Sequence, residues 1–315
     1  MKLQFYGILR RDDGELPSIN LNSGGTQDQF DVYLANAFNL YRSLRSSGYD
    51  FTLLTNDAKS IAAASKRMGI SIPVEEIQCA TKVPTGTRFY SAHFKLDAFK
   101  YFACKTDQYL VLCDLDMICT RKAPINFKNI VDAQIPIYYD ISNQVIPVYG
   151  AEVIAEDLCR LTNSPSEARW SGGELIGGPP RFFAELSKIV DELWPRYLDS
   201  IDDLHHVGDE AFVSAALETM RRNGLYTAEA GSLGIVARYW NCSTQHPQHR
   251  FAQIKESFLL HLPRDKRFLA RIGLSNDFKY SLFIRYYSIQ IIYALPLRIL
   301  KSVIRNFSTQ HSLTK

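Results

Sequence analysis

Apolar residues in the first 120 positions fall into two alternating patterns. Short apolar runs are typical of strands, and longer segments with apolar residues at every third or fourth position are typical of helices. The strand-like runs are Leu3–Leu9, FTLLT (51–55), ISIPVEEI (70–77) and the stretch before Asp114, and the helix-like segments are Gln27–Ser47, 58–68 and Phe89–Ala103. This alternation predicts an α/β fold with a mostly parallel central sheet flanked by helices.

The pattern is looser after residue 120. The strand-like segments are IPIYYDIS (135–142), QVIPVYGAEVI (144–154) and part of SFLLHLPRDKRF (257–268), and the helix-like ones are Arg181–Tyr197 and Asp209–Arg222. Trp170–Gly178 reads as a glycine-rich loop, and RRDDGELPSINLNSGGT (10–26) reads as a second loop because of its Gly, Asp, Asn and Pro content.

The last 38 residues form a separate compositional segment. Residues 278–315 contain six Lys or Arg and no acid, and aromatic and aliphatic residues are interleaved with the basic ones. Pro296 divides the segment into two amphipathic helical pieces. We expect a domain at 1–277 and a tail at 278–315. The tail either lies on an anionic membrane surface or packs on the core.

Composition sets the broad class. The chain has 315 residues, of which 46% are hydrophobic, so one large domain can be built. A net charge of +3 argues against a nucleic-acid-binding protein. Six cysteines without a CxxC pair indicate reduced residues, and the charged start of the chain lacks the pattern of a secretion signal. The predicted location is therefore cytoplasmic.

Two acids interrupt an apolar stretch in YLVLCDLDMICT (109–120). On a strand, Asp114 and Asp116 would point to the same side, where two buried carboxylates repel each other. A divalent cation relieves that repulsion, and oxygen ligands suit Mg²⁺ or Mn²⁺. The alternative is a pair of acids at a strand end in a solvated turn.

SAHFKLDAFKYFACKTDQYLVLCDLDMICT (91–120) resembles the core of nucleotide-sugar glycosyltransferases of the GT-A fold, and of the family 8 type in particular. There a helix with an aromatic-basic-Leu step precedes a strand that ends in D-x-D. Phe94-Lys95-Leu96 matches the step, with Lys where the family more often has Arg. The resemblance covers roughly residues 1–265 and implies the GT-A fold.

The resemblance also implies roles for the acid pair. Asp114 and Asp116 would hold Mn²⁺ (or Mg²⁺) on the diphosphate of the donor, and Asp114 would also reach the ribose. Lys95 and Arg88 would be cations on the donor side. For both basic residues, an ordinary solvated position is the alternative.

Two later segments match the family in part. His261 follows an apolar strand in FLLHLPRDK (258–266), which implies a third metal ligand, and Lys266 would meet the diphosphate. Arg264 competes for that second role, because the Gly and Trp of the family's Gly-x-x-Lys-Pro-Trp stretch are missing. RWSGGELIGG (169–178) implies a small-residue loop beneath the transferred sugar, with Gly177 and Gly178 as donor-binding residues.

HHVGDEAFVSAAL (205–217) starts a helix, and the GT-A pattern has an acid here that faces the sugar and the acceptor. Asp209 and Glu210 are the catalytic candidates that this implies, to orient or deprotonate the acceptor hydroxyl. Asp209 has a simpler interpretation as an acid near a helix N-terminus. His205 and His206 read as a solvated loop.

The function predicted from these features is a metal-dependent glycosyltransferase. It moves a sugar, from UDP in our expectation, to a saccharide or lipid-linked saccharide of surface polysaccharide or lipopolysaccharide, at the inner face of the membrane. Two alternatives stay open. One is a phosphohydrolase of the haloacid-dehalogenase type that uses Asp114 and Asp116, and the other is a non-catalytic scaffold with the same fold. The sequence does not name the sugar, the acceptor or the stereochemistry.

Overall fold

The computed structural model describes residues 2–11, 26–273 and 277–312, with side chains described for 2–11, 28–273 and 277–296. Most of the predicted loop at 10–26 lies outside the described residues. Within them the chain is α/β, with a mixed seven-stranded sheet flanked by helices and a second sheet of three short strands. The predicted fold class is confirmed.

The elements follow in chain order. The strands are β1 (Lys2–Ile8), β2 (Asp50–Thr55), β3 (Val74–Glu76), β4 (Gln108–Cys113), β5 (Met117–Cys119), β6 (Ile137–Asp140), β7 (Ser171–Gly178), β8 (Ala228–Glu229), β9 (Val236–Arg238) and β10 (Leu259–His261). The helices are α1 (Thr26–Ser46), α2 (Ala58–Met68), α3 (Lys95–Ala103), α4 (Ile125–Asp132), α5 (Ser142–Tyr149), α6 (Ala151–Thr162), α7 (Pro180–Ser200), α8 (Asp209–Arg222), α9 (Phe251–Ile254), α10 (Lys266–Arg271) and α11 (Tyr280–Ser312). A 3₁₀ helix, Tyr90–Phe94, leads into α3.

The large sheet has the order β3-β2-β1-β4-β7-β6-β8. Strand β7 is antiparallel to both of its neighbours, β4 and β6, and the other pairings are parallel. The small sheet has the order β5-β10-β9. The carboxyl end of β4 therefore lies where the two sheets meet, because only three residues separate it from the start of β5.

Both faces of the large sheet are covered. Consecutive side chains on a strand point to opposite faces, and β1 shows this with Phe5 and Tyr6. The ring of Phe5 contacts Tyr49 and Phe258, whereas the ring of Tyr6 contacts Phe102 of α3. Strand β4, between these layers, is almost wholly inaccessible to solvent, which explains its continuous apolar run.

Two local predictions are wrong. Residues 144–154 form parts of α5 and α6 instead of a strand: Ile154, Leu158 and Leu161 bury one side of α6 at helical spacing, and Val145 is buried from α5. Residues 171–178 form strand β7 instead of a loop. Their backbone hydrogen-bonds to β4 on one side and β6 on the other, so pairing on both edges fixes an extended conformation that glycine content alone does not favour.

The predicted tail begins with a helix that packs on the core. Phe283 and Tyr287 are buried beside Leu260 and Leu269, and the Tyr287 hydroxyl donates to Asp265 at 2.7 Å. The backbone of α11 stays helical through Pro296, so one helix replaces the two predicted pieces. The domain division at residue 277 stays a prediction. Across the described part of the chain, every helix is too short or too polar to cross a bilayer.

Candidate functional site

The Asp114-Leu115-Asp116 segment links the two sheets. It is a turn between β4 and β5, so the prediction that both acids lie on a strand is wrong. The Asp114 N–H donates to the Glu174 carbonyl at 3.0 Å and continues the pairing of β4 with β7. The Asp116 carbonyl accepts from Leu262 at 3.0 Å and begins the pairing of β5 with β10. Each acid is thus anchored by a different sheet, and the turn is not a solvated one because Asp116 is buried.

The same pairing brings a histidine to the acids. Strand β5 runs antiparallel to β10, and Met117 pairs with His261. The His261 Nε2 lies 3.3 Å from Asp116 Oδ1 and 3.7 Å from Asp114 Oδ2. One ligand atom from each of the three residues falls within 4.8 Å of the others. Two carboxylates and an imidazole suit a divalent cation, and Mn²⁺ and Zn²⁺ accept both ligand types more readily than Mg²⁺ does.

Glu174 fixes the orientation of His261. The imidazole Nδ1 lies 3.2 Å from Glu174 Oε1, and a carboxylate only accepts, so Nδ1 carries the proton and Nε2 faces the two aspartates. This is the outer-shell arrangement that metal-binding histidines have. Burial alone would lower the pKa of His261, but Asp116 and Glu174 outweigh it and raise the pKa to about 9. At neutral pH the imidazole therefore carries a second proton, on Nε2, and a metal at this site has to displace it.

Lys95 connects the turn to helix α8. Its Nζ lies 2.7 Å from Asp114 Oδ1, 2.7 Å from Asp209 Oδ2 and 2.7 Å from the Gly173 carbonyl. Burial alone would lower the pKa of Lys95, but the two aspartates raise it above its ordinary value. The interpretation of Lys95 as a solvated lysine is therefore wrong, because the amine is buried among acids. It has no hydrogen left for a donor phosphate in this arrangement.

Asp209 lies at the N-terminus of a helix, as its simpler interpretation has it, but it is also buried and paired with Lys95. It is the first residue of α8, and Gly208 before it has φ 125°, a conformation that favours glycine. Burial raises the pKa of Asp209, Lys95 opposes this, and Asp114 and Glu210 add to the rise. The net direction is upward, so Asp209 depends on Lys95 to stay ionised.

A second group of charges lies behind the first. Arg238, at the end of β9, donates from Nε and Nη2 to the two oxygens of Glu174, each at 2.6 Å, and reaches Glu210 at 3.1 Å. Burial would raise the pKa of Glu174, but Arg238 and His261 lower it well below the ordinary range. Glu210 also accepts from Trp170 Nε1 at 3.1 Å.

The charges of the site do not balance without a further cation. Its carboxylates are those of Asp114, Asp116, Glu174, Asp209 and Glu210. The permanent cations that pair with them are Lys95, Lys266 and Arg238. Among the described residues, one negative charge is left over when His261 is protonated, the form that its pKa of about 9 favours at neutral pH, and two are left over when it is neutral, the form that binds a metal. A divalent cation supplies the missing charge, so the residues fit the metal that the sequence analysis implies.

The other predicted donor-side residues differ in position. Lys266 is buried and contacts Asp116, whereas Arg264 is exposed, so Lys266 is the one that the structure brings to the acids. Arg88 lines the cleft described below, but it is exposed and its guanidinium lies over the ring of Phe89. Arg88 therefore stays a prediction.

The two glycines predicted to bind the donor, Gly177 and Gly178, lie away from the acids, and another glycine of β7 lines the cleft. Gly177 and Gly178 pair with Val111 and Leu110, in the half of β7 that lies away from Asp114, and they do not line the cleft. Their lack of a side chain allows close packing of the sheet, and their donor-binding role stays a prediction. Gly173 lines the cleft instead, and a Cβ there would lie 2.2 Å from Asp209 Oδ2. Only glycine leaves room for the carboxylate.

The prediction of a solvated loop at His205 and His206 is also wrong. The His205 side chain is buried, and both its backbone N–H and its ring Nδ1 contact Asp157 Oδ2 of α6. His206 is partly buried, and its Nε2 lies 3.6 Å from Glu210 Oε2.

A cleft of about 1570 Å³ opens over these residues. One half is lined by the end of β1 and by α1, including Leu9, Phe30 and Tyr33. The other half is lined by the ends of α5 and α8 and by the segment after β9. Asp114, Asp116 and His261 lie in the lining together with Lys95, Asp209 and Lys266. We call these two halves of the lining the lobes of the cleft, and the ionic residues lie in the same lining.

The sequence analysis does not identify three residues that the structure places at or beside the cleft. Arg238 and Asp157 have no local pattern that marks them, because their partners lie 64 and 48 residues away. Arg10 follows β1, and its guanidinium lies 3.7 Å from the centre of the Phe94 ring at the edge of the cleft. Its position after the first strand of an α/β sheet was a usable signal, since ligands bind beyond the carboxyl ends of such strands.

No protein-family model and no curated protein matches the chain. Solved structures that resemble it include mouse xyloside xylosyltransferase 1, at 11% identity and TM-score 0.45, over 83% of this chain and 97% of that one. The bifunctional glycosyltransferase WbbM matches at 11% identity and TM-score 0.46, over 82% and 45% of the two chains. The galactosyltransferase LgtC matches at 10% identity and TM-score 0.48, over 85% and 95%. Likenesses at this level carry no argument about function, so the chemistry of the cleft has to be argued from its own residues.

Proposed function

We propose that this chain is a metal-dependent glycosyltransferase of the GT-A type that transfers a sugar from a nucleotide diphosphate donor, UDP in our expectation, to a saccharide hydroxyl. One observation carries the proposal. Asp114, Asp116 and His261 converge at the carboxyl end of β4, in the lining of a cleft, and with a neutral His261 the described residues around them lack two positive charges. A site that needs a divalent cation and faces a cleft suits a diphosphate substrate.

Several residues of the cleft would bind the metal and the nucleotide donor. Asp114, Asp116 and His261 would hold the metal, which as a Lewis acid supplies positive charge to the leaving diphosphate. Lys266, buried against Asp116, would add a second positive charge on the same side. The lobe with Phe30 and Tyr33 offers aromatic faces for the nucleoside base. Arg10 and Arg88 would stand at its edge.

Asp209 and Glu210 would act on the sugar side. Asp209 is held by the amine that also holds Asp114, so its position follows that of the D-x-D turn. We assign it to the transferred sugar and the acceptor hydroxyl. Burial favours the neutral form of Glu210, but His206 and Arg238 lower its pKa overall. Because its oxygens are already engaged by Trp170 and Arg238, Glu210 would orient these groups and not carry a proton.

A phosphohydrolase of the haloacid-dehalogenase type is a weaker account. In such an enzyme the first acid of the pair attacks phosphorus, so it has to present a free carboxylate oxygen. Here Asp114 Oδ1 accepts from Lys95, which leaves Oδ2, 3.7 Å from His261 Nε2, and the third potential ligand is an imidazole. The D-x-D also follows the fourth strand of the chain and not the first. A scaffold without activity would have no need for the charge imbalance of the site.

The deciding experiment measures nucleotide binding to the full chain. We expect UDP to raise the melting temperature only in the presence of Mn²⁺, and a ligand at 100 times its Kd stabilises by roughly 2.7 kcal/mol. Asp116→Asn should remove the shift. Asp191→Asn, which alters an exposed carboxylate paired with Lys100, should retain it.

Turnover separates the alternatives. Mn²⁺-dependent release of UDP from UDP-sugars supports the transferase. Phosphate release from p-nitrophenyl phosphate supports the phosphohydrolase, and the absence of both activities together with the absence of UDP binding supports the scaffold. Each outcome has to be compared with Asp116→Asn, because a contaminating enzyme would ignore that substitution.

We also propose that helix α11 holds the enzyme at the inner, cytoplasmic face of a membrane, beside a lipid-linked acceptor of polysaccharide or lipopolysaccharide synthesis. Leu282, Tyr286, Ile289 and Tyr293 are exposed and form one stripe at helical spacing. Replacing Tyr286, Ile289 and Tyr293 by Ser should abolish co-sedimentation with anionic vesicles. The triple variant leaves Phe283 and Tyr287 intact, so it spares the core that a truncation at residue 277 would disrupt. Equal sedimentation of variant and parent would refute the anchor.

A further inference from the structure

The cleft wall opposite the nucleotide lobe contains a buried aspartate–histidine pair. Asp157 of α6 accepts from the backbone N–H of His205 at 2.9 Å and contacts its ring Nδ1. Asp157 and the His205 side chain are both more than nine-tenths buried. The carboxylate therefore fixes the ring, with Nδ1 turned inward. The other ring nitrogen, Nε2, has no hydrogen-bond partner among the described residues, although His205 lines the cleft.

A second polar atom of this wall is in the same situation. Trp240 Nε1, a donor, is buried and has no partner within the described part of the chain. Trp240 follows β9 and lines the same cleft. Buried polar atoms are normally satisfied, so two unsatisfied ones in a single cleft wall call for a ligand that offers hydrogen-bonding groups to both. A hydroxyl serves either atom, because it both donates and accepts.

The rest of the wall is aromatic. The ring of Tyr149 lies 4.8 Å from that of His205, and Trp170 packs behind His205 at 4.6 Å. His246 lies 6.5 Å from Trp240 with nearly parallel rings, and it also faces Tyr149 at 6.2 Å. We call Tyr149, His205, Trp240 and His246 the aromatic wall. Flat apolar faces with a few fixed polar atoms suit a sugar ring, which has apolar C–H faces and a rim of hydroxyls.

The aromatic wall is connected to the ionic centre. Trp170, which supports His205, donates from Nε1 to Glu210, and Glu210 follows Asp209 in the first turn of α8. Asp209 shares Lys95 with Asp114. A ligand on the aromatic wall therefore approaches the acid cluster from the side of α8, whereas the nucleotide lobe approaches it from the side of β1.

We propose that the aromatic wall binds the acceptor saccharide, and that His205 Nε2 and Trp240 Nε1 hydrogen-bond its hydroxyl groups. That this saccharide is an acceptor rests on the proposed glycosyltransferase function. That the site binds a saccharide is argued from the residues of the aromatic wall alone. The Asp157–His205 pair determines specificity here: it presents one nitrogen at a fixed place, so an acceptor is selected by the position of one hydroxyl. Asp157 is a positioning residue, because it acts through His205.

The test uses saturation-transfer NMR on the full chain, with methyl glycosides of the common hexoses and with lactose as probes. Concentrations up to about 50 mM are needed, because contacts with one or two sugar rings give millimolar Kd values. We expect transfer from the parent protein to at least one probe. His205→Asn keeps a donor for Asp157, in place of Nδ1, and removes Nε2 together with the rest of the ring. It should weaken binding about tenfold, the cost of one hydrogen bond to a buried polar atom.

A second variant guards against misfolding, and a third is the matched control. Tyr149→Ala removes a partly exposed ring of the wall, so the chain should fold, and binding should fall by a similar factor. Tyr226→Ala removes a ring that is 70% exposed outside the cleft, and it should bind like the parent. The melting shift with UDP and Mn²⁺ is measured on all four proteins.

The outcomes are distinct for the two proposals. If the parent binds no probe, or if His205→Asn and Tyr149→Ala bind as well as Tyr226→Ala, the acceptor site is refuted, whatever UDP does. If the two wall variants lose the glycoside and keep the UDP shift, the acceptor site is supported. If they lose the glycoside but UDP and Mn²⁺ never shift the parent, the chain is a saccharide-binding protein, and the glycosyltransferase proposal fails alone.

Discussion

The Nζ atom of Lys95 lies 2.7 Å from Asp209 at the start of α8, and it bonds Asp114 of the D-x-D turn at the same distance. One amine thus couples the metal-binding candidates to the catalytic candidate. The Lys95 and Asp209 side chains are each 9% exposed, so neither charge is hydrated to any useful extent. The position of either acid therefore depends on the lysine.

Lys95→Met should destabilise the chain by about 3–5 kcal/mol, because it leaves Asp209 buried with an uncompensated charge. Adding Asp209→Asn to that variant should restore a large part of the loss. Equilibrium unfolding in urea measures both changes. Lys100→Met is the matched control: its amine pairs with Asp191 at 2.8 Å on the surface, where loss of an ion pair costs about 0–1 kcal/mol. Equal losses for Lys95→Met and Lys100→Met would contradict the coupling.

Glu174→Gln should lower the affinity for Mn²⁺ about 10–100-fold, since an outer-shell partner of a metal-binding histidine has effects of that size. The physical reason is that Glu174 holds the Nδ1 proton of His261 and leaves Nε2 for the metal. Calorimetric titration of the metal into the full chain gives the Kd without any substrate. Glu156→Gln, at an exposed position of α6, should leave the Kd unchanged. An unaltered Kd in Glu174→Gln would mean that His261 is not a ligand.

The sequence predicted those parts of the fold whose signal is local. The limits of α8 coincide with the predicted Asp209–Arg222, and α1 and α2 agree to within a residue. Their apolar periodicity extends over three turns or more, so the pattern alone decides. Residues 144–154 were assigned to a strand because an apolar run of a few residues around Pro147 has no clear period, and only tertiary packing selects a helix there.

The candidate site was predictable where acids interrupt an apolar run, and not where its partners come from distant elements. Asp114 and Asp116 could be proposed from their own flanks, and His261 from the resemblance to family 8 enzymes. The pair of Arg238 with Glu174 exists because β9 lies beside β10, which in turn pairs with β5, and this order cannot be read from one sequence. The same holds for Asp157, because the sequence pattern predicts a solvated loop at its partner His205.

Two glycines of β7 should respond differently to alanine. In Gly173→Ala, the new Cβ would lie 2.2 Å from Asp209 Oδ2, so the carboxylate must leave Lys95. We expect UDP release to slow down, because its activation free energy should rise by about 2.7–4 kcal/mol, the cost of losing one charge-stabilising group. In Gly177→Ala, the contacts at 3.0–3.1 Å are with Val111, Ile137 and the Leu110 backbone, so the melting temperature should fall instead. Loss of activity without loss of stability in Gly177→Ala would support the predicted donor-binding role of Gly177.

The last prediction concerns pH and the buried His93. Its Nδ1 lies 3.1 Å from the carbonyls of Phe89 and Tyr90, so this nitrogen donates, and its Nε2 accepts from the Tyr197 hydroxyl at 2.6 Å. Burial lowers the pKa of His93 below its ordinary value of 6.5, and the backbone carbonyls oppose this only in part. The Tyr197 hydroxyl also accepts from the Gly208 N–H at 2.9 Å, just before Asp209.

Because the folded-state pKa of His93 is depressed, its contribution to stability is complete above about pH 6.5 and is lost as the pH falls below that value. The slope reaches at most about 1.4 kcal/mol per pH unit for one proton. The contribution of His261 to stability has the opposite pH dependence. Because the pKa of His261 is raised to about 9, this contribution is complete below pH 6.5 and adds no slope in this range. Asp116 and Glu174, with depressed pKa values, lose their contributions only nearer pH 4.

Urea unfolding of the metal-free chain between pH 6.5 and 5 measures the His93 contribution by comparison with a His93 variant, since the raised pKa of Asp209 adds a slope of opposite sign to both proteins. His93→Gln should flatten the pH dependence, because an amide accepts from Tyr197 without titrating. His249→Gln, which removes an exposed imidazole, should leave the slope as in the parent. If His93→Gln and the parent show the same slope, another group titrates in this range, and the hydrogen bonds from the 3₁₀ helix through Tyr197 to Gly208 do not require a neutral imidazole.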